Sequence, residues 1–158
     1  MTESLDDPQV FLPDLFASHA RFRRAKEAVV CGDTRRSWGD FGANIHRVAH
    51  GLIADGLAKG DRVAILMANS AEMLECLFGA VWAGGVAVPL SGLLTAEQIA
   101  HLLRDSGAVR VFVSAEFRGV AEAIRDAVPD VPGAGWVAQG VAGEGWRRRS
   151  ALWEGRPA

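Results

Sequence analysis

The sequence between Arg62 and Val113 contains three short apolar runs separated by two patterns with helical spacing. The runs occupy residues 63–67, 86–90 and 109–113. Nearly unbroken apolar runs of this length are typical of strands that are buried on both faces of a sheet. Strands that alternate with helices in this rhythm are joined by right-handed crossovers and lie parallel. The stretch therefore predicts an α/β fold in which helices cover a parallel sheet.

Both helical patterns are bounded by residues that start and end helices. The pairs with capping-box spacing are Asn69 with Glu72 and Thr95 with Gln98. Gly84-Gly85 and Gly107 follow the two patterns and permit a left-handed turn into the next strand. We expect the recurring apolar residues to face the sheet, Trp82 being at least largely buried. They are Met73, Leu74, Leu77, Phe78, Val81 and Trp82 in the first helix, and Ile99, Leu102 and Leu103 in the second.

The residues before this stretch predict a helix, a hairpin and a longer helix. The first helix spans residues 10–24, with Leu12, Leu15, Phe16 and Phe22 as its apolar side. Gly32-Asp33 is a turn pair between strands at 28–31 and 34–38. Ser37 with Asp40 caps a helix over residues 38–54. Its buried stripe is expected to contain Phe41, Ile45, Val48, Leu52 and Ile53.

The pattern weakens after residue 113. Ser114 is expected to cap a helix over residues 115–128, which buries Val120, Ile124 and Val128, and Trp136–Ala138 has the composition of one more strand. Beyond residue 140, tryptophan and arginine residues alternate. In a mildly acidic chain such a short cluster favours a solvated connector over a nucleic-acid site.

Several spaced motifs resemble those of the adenylate-forming enzymes, which include the acyl- and aryl-CoA synthetases, the luciferases and the adenylation domains of peptide synthetases. Residues 80–113 resemble the second core motif of that family. The matching residues are Ala83-Gly84, Pro89-Leu90, Thr95 and Asp105-Ser106-Gly107-Ala108. Residues 36–41 and 60–64 resemble two further family segments, and the resemblance covers residues 12–128. Where the family usually has asparagine after Pro-Leu, this chain has Ser91.

The resemblance implies the incomplete N-terminal subdomain of the adenylate-forming synthetase fold. It implies a flexible start (1–9), a partial AMP-binding α/β domain (10–139) and a connector (140–158). The family activates a carboxylic acid with ATP as an acyl-adenylate and transfers the acyl group to the thiol of CoA. Its phosphate loop, magnesium and ribose ligands and mobile lysine come later in the chain. We therefore expect no catalytic, cofactor-binding or metal residue here. ATP, magnesium and CoA belong to the full-length enzyme, and the remainder of the synthetase is the expected partner.

Two other functions remain open. No GxGxxG, GxxxxGK[ST] or HExxH motif occurs in the chain, and no nucleophile elbow is present. One alternative is a truncated, non-catalytic interaction module. The other is a small flavodoxin-like nucleotide binder, which the absence of a recognisable phosphate-binding loop disfavours. Ser91 follows a strand, where ligands often bind, but it has no sequence neighbour that would activate it, so a turn role is favoured.

Composition and charge narrow the class of protein further. The chain has 158 residues, which suits one domain or part of a larger one, and a formal charge of −2. That charge gives no reason to expect nucleic acid or an anionic membrane as a partner. No apolar run is long enough to span a bilayer, and we expect a cytoplasmic protein. Cys31 and Cys76 lack metal or disulfide spacing, and we expect both to be small buried apolar residues. His46 and His50 are interpreted as solvated or boundary residues, not metal ligands. His101 is expected at the surface.

Overall fold

The computed structural model describes residues 11–140, 146–152 and 154, which form a parallel sheet between two layers of helices. The helices are α1 (Leu12–Phe22), α2 (Trp38–Ala54), α3 (Ala71–Trp82), α4 (Ala96–Ser106) and α5 (Arg118–Ile124). The strands are β1 (Glu27–Cys31), β2 (Thr34–Ser37), β3 (Arg62–Leu66), β4 (Val86–Pro89), β5 (Ala108–Val113), β6 (Trp136–Ala138) and β7 (Arg147–Arg148). Short 3₁₀ turns occupy Ala115–Phe117, Arg125–Ala127, Gly133–Gly135 and Arg149–Leu152.

The main sheet has the order β4-β3-β5-β6-β7, and every neighbouring pair is parallel. Ala64 at the centre of β3 lies beside Val88 of β4 on one side and Val111 of β5 on the other. The predicted parallel arrangement of the three apolar runs is confirmed. β1 and β2 form a separate antiparallel hairpin, as the Gly32-Asp33 pair predicts.

Alternate residues of the strands enter two separate cores. Ala64 and Leu66 face α4 and α5, while Val63 and Ile65 face α2 and α3. Both faces are apolar, which explains why the runs do not alternate in sequence. Outside α2 and α3, the ring of Phe16 on α1 packs against three aromatic rings, with a centroid distance of 4.5 Å to Phe78. This outer packing attaches α1 and the hairpin to the layer formed by α2 and α3.

The helix boundaries agree with the sequence at three predicted capping sites and differ at the start of α3. Thr95 and Gln98 form the expected capping box, and Ser37 accepts a hydrogen bond from the backbone N–H of Asp40. The cap of α3, however, is Ser70 and not Asn69, because the Ser70 hydroxyl reaches the N–H of Met73 at 3.1 Å. Gly107 ends α4 with φ of +60°, as predicted.

The face that α3 buries is not the predicted one. Its fully buried residues are Ala71, Glu75, Cys76, Gly79 and Ala80, whereas the large apolar residues of the predicted stripe are partly buried. Small residues are buried because α3 lies so close to α2 that only small side chains fit between the two backbones. Trp82 is partly buried and packs on the ring of His46, with 4.2 Å between centroids.

Five other predicted core positions, on three helices, are corrected. On α1 only Phe16 packs inward, while Leu12, Leu15 and Phe22 are exposed; on α2, Ile53 is exposed. Leu102 on α4 is also at the surface, together with His101 as predicted. In each case the helix has a narrower contact face than its apolar content indicates, because it is covered on one side only.

The predicted helix over residues 115–128 is divided into a 3₁₀ turn, α5 and a second 3₁₀ turn. Ser114 makes no side-chain cap at its start. Its hydroxyl instead accepts a hydrogen bond from the N–H of Ala68 at 3.0 Å, so it joins the ends of β5 and β3. Ile124 and Val128 are buried as expected, and Val120 packs partly buried beside them.

Part of the predicted connector packs on the sheet. β7 pairs with β6, and Trp146 is buried with its indole N–H donating to Glu122 at 3.0 Å. Leu152 lies against the backbone of α2 at Gly51, where a Cβ would be 2.4 Å from the Leu152 Cβ. The predicted flexible start, residue 10, residues 141–145 and Trp153 lie outside the described residues.

The close contact of α2 and α3 provides a stability test. A methyl group at Gly79 would lie 2.5 Å from Cγ1 of Val48, whereas one at Gly119 of α5 would meet nothing within 4 Å. We expect Gly79→Ala to lower the free energy of unfolding by about 1–3 kcal/mol through overpacking. Gly119→Ala should raise it by about 0.4–1 kcal/mol, because alanine restricts the unfolded chain. Urea unfolding followed by circular dichroism measures both, and equal effects would contradict the helix contact.

Candidate functional site

The carboxyl edge of the sheet, where β3 and β5 end side by side, is the candidate functional site. The chain leaves β3 toward α3 on one face and leaves β5 toward α5 on the other. Open α/β sheets bind ligands at such a point, where the connections diverge. The loops that form this edge contain Ser70, Ser91 and Ser114.

The hydroxyl groups at this edge are engaged within the fold. The Ser114 hydroxyl binds the N–H of Ala68, and the Ser91 hydroxyl accepts from the N–H of Leu93 at 3.3 Å, which confirms its turn role. The pKa of Glu116 is lowered by hydrogen bonds from Ser114 and from its own backbone N–H. These hydrogen bonds hold the loops in position.

The loops after β4 and β5 also contact each other. A Cβ at Gly92 would lie 2.1 Å from the ring of Phe117, so only glycine allows this ring to rest on the loop backbone. This contact holds the loop after β4 against the turn after β5 at the carboxyl edge.

The two lysines and the pair His46 and His50 lie away from the carboxyl edge of the sheet. Lys26 precedes β1, and Lys59 lies in the turn before β3, at the amino edge of the sheet. Among the described residues no group of three or more His, Cys, Asp or Glu side chains is arranged to hold a metal. The rings of His46 and His50 lie 6.2 Å apart. The pKa of His46 is lowered, first by burial and then by the neighbouring His50.

A buried glutamate lies on the side of the sheet that carries α2 and α3. It was not predicted from the sequence. Glu75 of α3 is completely buried. Its Oε1 accepts from Asn44 of α2 at 2.7 Å and from Arg36 of β2 at 3.4 Å, and its Oε2 accepts from Arg149 at 2.8 Å. Arg36 also pairs with Glu72 at 3.0 Å. We call Glu75, Arg36, Asn44 and Arg149 the Glu75 cluster.

The Glu75 cluster joins four separate parts of the chain. Burying a carboxylate without partners costs several kcal/mol, whereas two guanidinium groups and an amide satisfy both of its oxygens. One signal in the sequence points to its burial: Ala71, Glu75 and Gly79 follow each other at intervals of four. The residues on either side of Glu75 in this row are small, which indicates a close helix contact.

The neighbouring Cys76 is also fully buried, whereas Cys31 is exposed, and both are free. Burial raises the pKa of the Cys76 thiol to about 12, and the nearby Arg149 opposes this rise without cancelling it. Cys76 is therefore a protonated core residue, as expected, whereas the same expectation is wrong for Cys31, which is exposed.

The comparisons with known proteins agree with this geometry. Residues 16–146 match the family model of the AMP-binding enzymes, and the chain belongs to that family. A fatty acid–[acyl-carrier-protein] ligase, ScoC of Streptomyces coeruleorubidus, is 38% identical over 112 residues, covering 71% of this chain and 22% of the relative. The long-chain-fatty-acid–CoA ligase FadD13 of Mycobacterium tuberculosis is 43% identical over 101 residues, covering 64% of this chain and 20% of the relative.

Solved structures show the same fold. The anthranilate CoA ligase AuaEII, in complex with anthranoyl-AMP, superposes with a TM-score of 0.84 at 25% identity, covering 92% of this chain and 28% of that one. The inhibitor-bound N-terminal domain of FACL13 from Mycobacterium tuberculosis gives a TM-score of 0.75 at 34% identity, covering 80% and 33%. The fold is therefore that of the N-terminal domain of adenylate-forming ligases. The chain spans about a fifth of the length of the curated relatives it matches.

The Glu75 cluster makes a prediction about two glutamates on one helix. Glu75→Ala takes the carboxylate away from the guanidinium of Arg149, which is 14% exposed, and leaves Arg36 paired with Glu72. We expect a loss of about 3–5 kcal/mol in the free energy of unfolding. Glu72→Ala removes a carboxylate that is 23% exposed and should cost less than about 1 kcal/mol. Denaturant unfolding of both variants measures the difference. A loss below 1 kcal/mol for Glu75→Ala would show that the cluster does not support the fold.

The two cysteines should differ sharply in reactivity. At pH 8 an aromatic disulfide reagent should titrate one thiol in the native chain, Cys31, and both thiols after denaturation. Cys31→Ala should leave no rapidly reacting thiol, and Cys76→Ala serves as the control that keeps one. Two fast thiols in the native chain would contradict the burial of Cys76.

The raised pKa of Cys76 also has a consequence for stability. The unfolded thiol ionises near its usual value, about 8.5, while the folded thiol keeps its proton up to about pH 12. The unfolded state therefore loses a proton first, and this residue's contribution to stability should fall as the pH rises from about 8.5 toward 12. Thermal unfolding between pH 8 and 11 should show a smaller decline for Cys76→Ala than for the native chain.

Proposed function

We propose that this chain is the structural segment of an ATP-dependent acid–thiol ligase. The complete enzyme would join a carboxylic acid to ATP as an acyl-adenylate and then transfer the acyl group to a thiol. ATP, magnesium and CoA would act on the remainder of the synthetase, which is the proposed partner of this chain. CoA or a carrier protein is the proposed carrier of the thiol, since the relatives named above are ligases of both kinds.

The observation that carries this proposal is the internal use of polar groups at the carboxyl edge of the sheet. The Ser91 hydroxyl accepts from a backbone N–H of its own loop, the Ser114 hydroxyl accepts from the N–H of Ala68 in the loop after β3, and neither lysine lies at this edge. Adenylation needs groups that hold three phosphates and a metal. We therefore propose that no residue of this chain acts chemically, and that its role is to support the loops and helices on which the remainder of the site is built.

The acid substrate is proposed only as a class. The relatives act, by their names, on fatty acids, and the neighbouring structure AuaEII acts on anthranilate, an aromatic acid. A fatty or aromatic acid is therefore the proposed substrate of the complete ligase. A cytoplasmic location is proposed on the same basis. Within the described part of the chain no helix has both the length and the apolar character to cross a membrane.

A second function has one observation in its favour. Counted from β3, the strands of the main sheet follow the order 2-1-3-4-5, which is the order of the flavodoxin-like nucleotide binders. In that fold the ligand lies where the first and third strands end side by side. Here the hydrogen bond between Ser114 and Ala68 joins those strand ends, and no phosphate-binding loop follows β3. We therefore place this function second.

The two functions differ in a measurable way. With ATP, magnesium and a panel of fatty and aromatic acids, the isolated chain should release no pyrophosphate, and calorimetry should detect no ATP binding at micromolar concentration. Exchanging the homologous segment of FadD13 for this chain should leave a ligase that still forms acyl-adenylate, while FadD13 without the segment should be inactive. Turnover by the isolated chain would overturn the scaffold proposal, and micromolar ATP or flavin nucleotide binding would favour the second function.

A further inference from the structure

Helix α1 has two apolar sides, and only one of them is packed. On the inner side Phe16 contacts the rings of Trp38, Phe41 and Phe78, and Ala20 lies against Gly42. On the outer side Phe11, Leu15 and Phe22 are 61%, 41% and 76% exposed. Large apolar side chains that are exposed together on one element mark an interaction surface more often than chance exposure does.

The exposed side chains form one stripe along the helix. Phe11, Leu15, Ser18 and Phe22 are separated by four, three and four residues, so they lie above one another on the same face. This face is well around the helix from Phe16 and Ala20. We call Phe11, Leu15 and Phe22 the outer stripe. It is exposed because α1 packs on α2 and α3 through its other side.

Basic side chains gather at the end of the same helix. Arg21, Arg23, Arg24 and Lys26 are all exposed, and the guanidinium of Arg21 lies 5.2 Å from the centre of the Phe22 ring. Asp14 is the acidic residue of α1, and the next one, Glu27, is already paired with Arg35 at 2.6 Å. Within the described residues none of the four cations forms an ion pair. This end of α1 is therefore locally positive, although the whole chain has a formal charge of −2.

We propose that α1 binds an anionic lipid surface, with the outer stripe inserted at the boundary between headgroups and acyl chains and the four cations above the lipid phosphates. An amphipathic helix with aromatic and aliphatic residues beside a basic cluster has this preference. The overall negative charge does not oppose binding, since salt screens charges beyond about 8 Å at physiological ionic strength. A second copy of the chain would fit this face less well, because it would bring four cations and one carboxylate to a surface that is already positive.

Vesicle binding by the full chain tests the proposal. Co-flotation with vesicles of phosphatidylcholine containing 30% phosphatidylserine should recover the protein at low salt. Recovery should fall with pure phosphatidylcholine vesicles and at 0.5 M salt, since each basic residue near an anionic surface contributes about five-fold in affinity. Equal recovery with both kinds of vesicle would overturn the electrostatic part of the proposal, and no recovery with either would overturn it entirely.

Matched variants connect binding to α1. Leu15→Ser with Phe22→Ser should weaken binding by at least about ten-fold. Leu93→Ser, at a leucine that is 97% exposed in the loop after β4, should leave it unchanged. Arg23→Gln with Lys26→Gln should weaken it by about five-fold for each charge, while Arg148→Gln on β7 should not. All these side chains are exposed, so circular dichroism and melting temperature should match the native chain.

The same variants distinguish lipid from protein as the occupant. Sedimentation of the native chain over a hundred-fold concentration range should show no self-association that depends on the outer stripe. If Leu15→Ser with Phe22→Ser dissolves a dimer and the native chain does not bind vesicles, the outer stripe is an interface between copies, and the lipid proposal is wrong. If the two control variants weaken vesicle binding as much as the α1 variants do, binding is not located on α1. Neither result bears on whether the chain is a ligase scaffold.

Discussion

The neutralisation of one buried carboxylate is the interaction on which the side of the sheet carrying α2 and α3 depends. Glu75 lies between α2 and α3, and its partners come from β2, α2 and the turn after β7. A carboxylate without these partners would be too costly to bury. The cluster therefore forms only when the hairpin, both helices and the segment after β7 are all in place. It links the outer layer to the sheet more specifically than apolar contact alone can.

Close helix contact and the buried charge support each other. Gly79 brings the backbone of α3 against Val48 of α2, and this short separation allows Asn44 to reach Glu75. On the far edge, Leu152 lies on Gly51 of the same helix α2, and Arg147 pairs with Asp55. The segment after β6 is thus attached to α2 at several points, and it completes the layer instead of leaving it as a solvated linker.

The loops at the carboxyl edge and the exposed side of α1 lie in different parts of the same chain. The loops at the carboxyl edge are held by their own hydroxyl groups, so they present a stable shape to whatever is built upon them. The opposite outer layer presents α1, whose inner side is fully used by Phe16 and whose outer side is not. The contacts of α1 and those of the loops at the carboxyl edge share no residue, so a change on α1 need not disturb these loops.

The sequence by itself determined the parallel α/β arrangement, the hairpin, most helix boundaries and the family. Apolar run length, capping hydroxyls such as Thr95 and turn glycines such as Gly107 act over a few residues, and local patterns record them. Tertiary structure decided which residues of α1 and α3 are buried, whereas the stripes predicted for α2 and α4 are buried except for Ile53 and Leu102. The large apolar residues predicted the wrong buried face for α3, and they predicted burial for a side of α1 that is exposed. Both predictions failed because burial depends on where a neighbouring backbone lies. Glu75 was not found for the same reason: a charge is buried only where partners from distant segments, here Arg149, meet it in space.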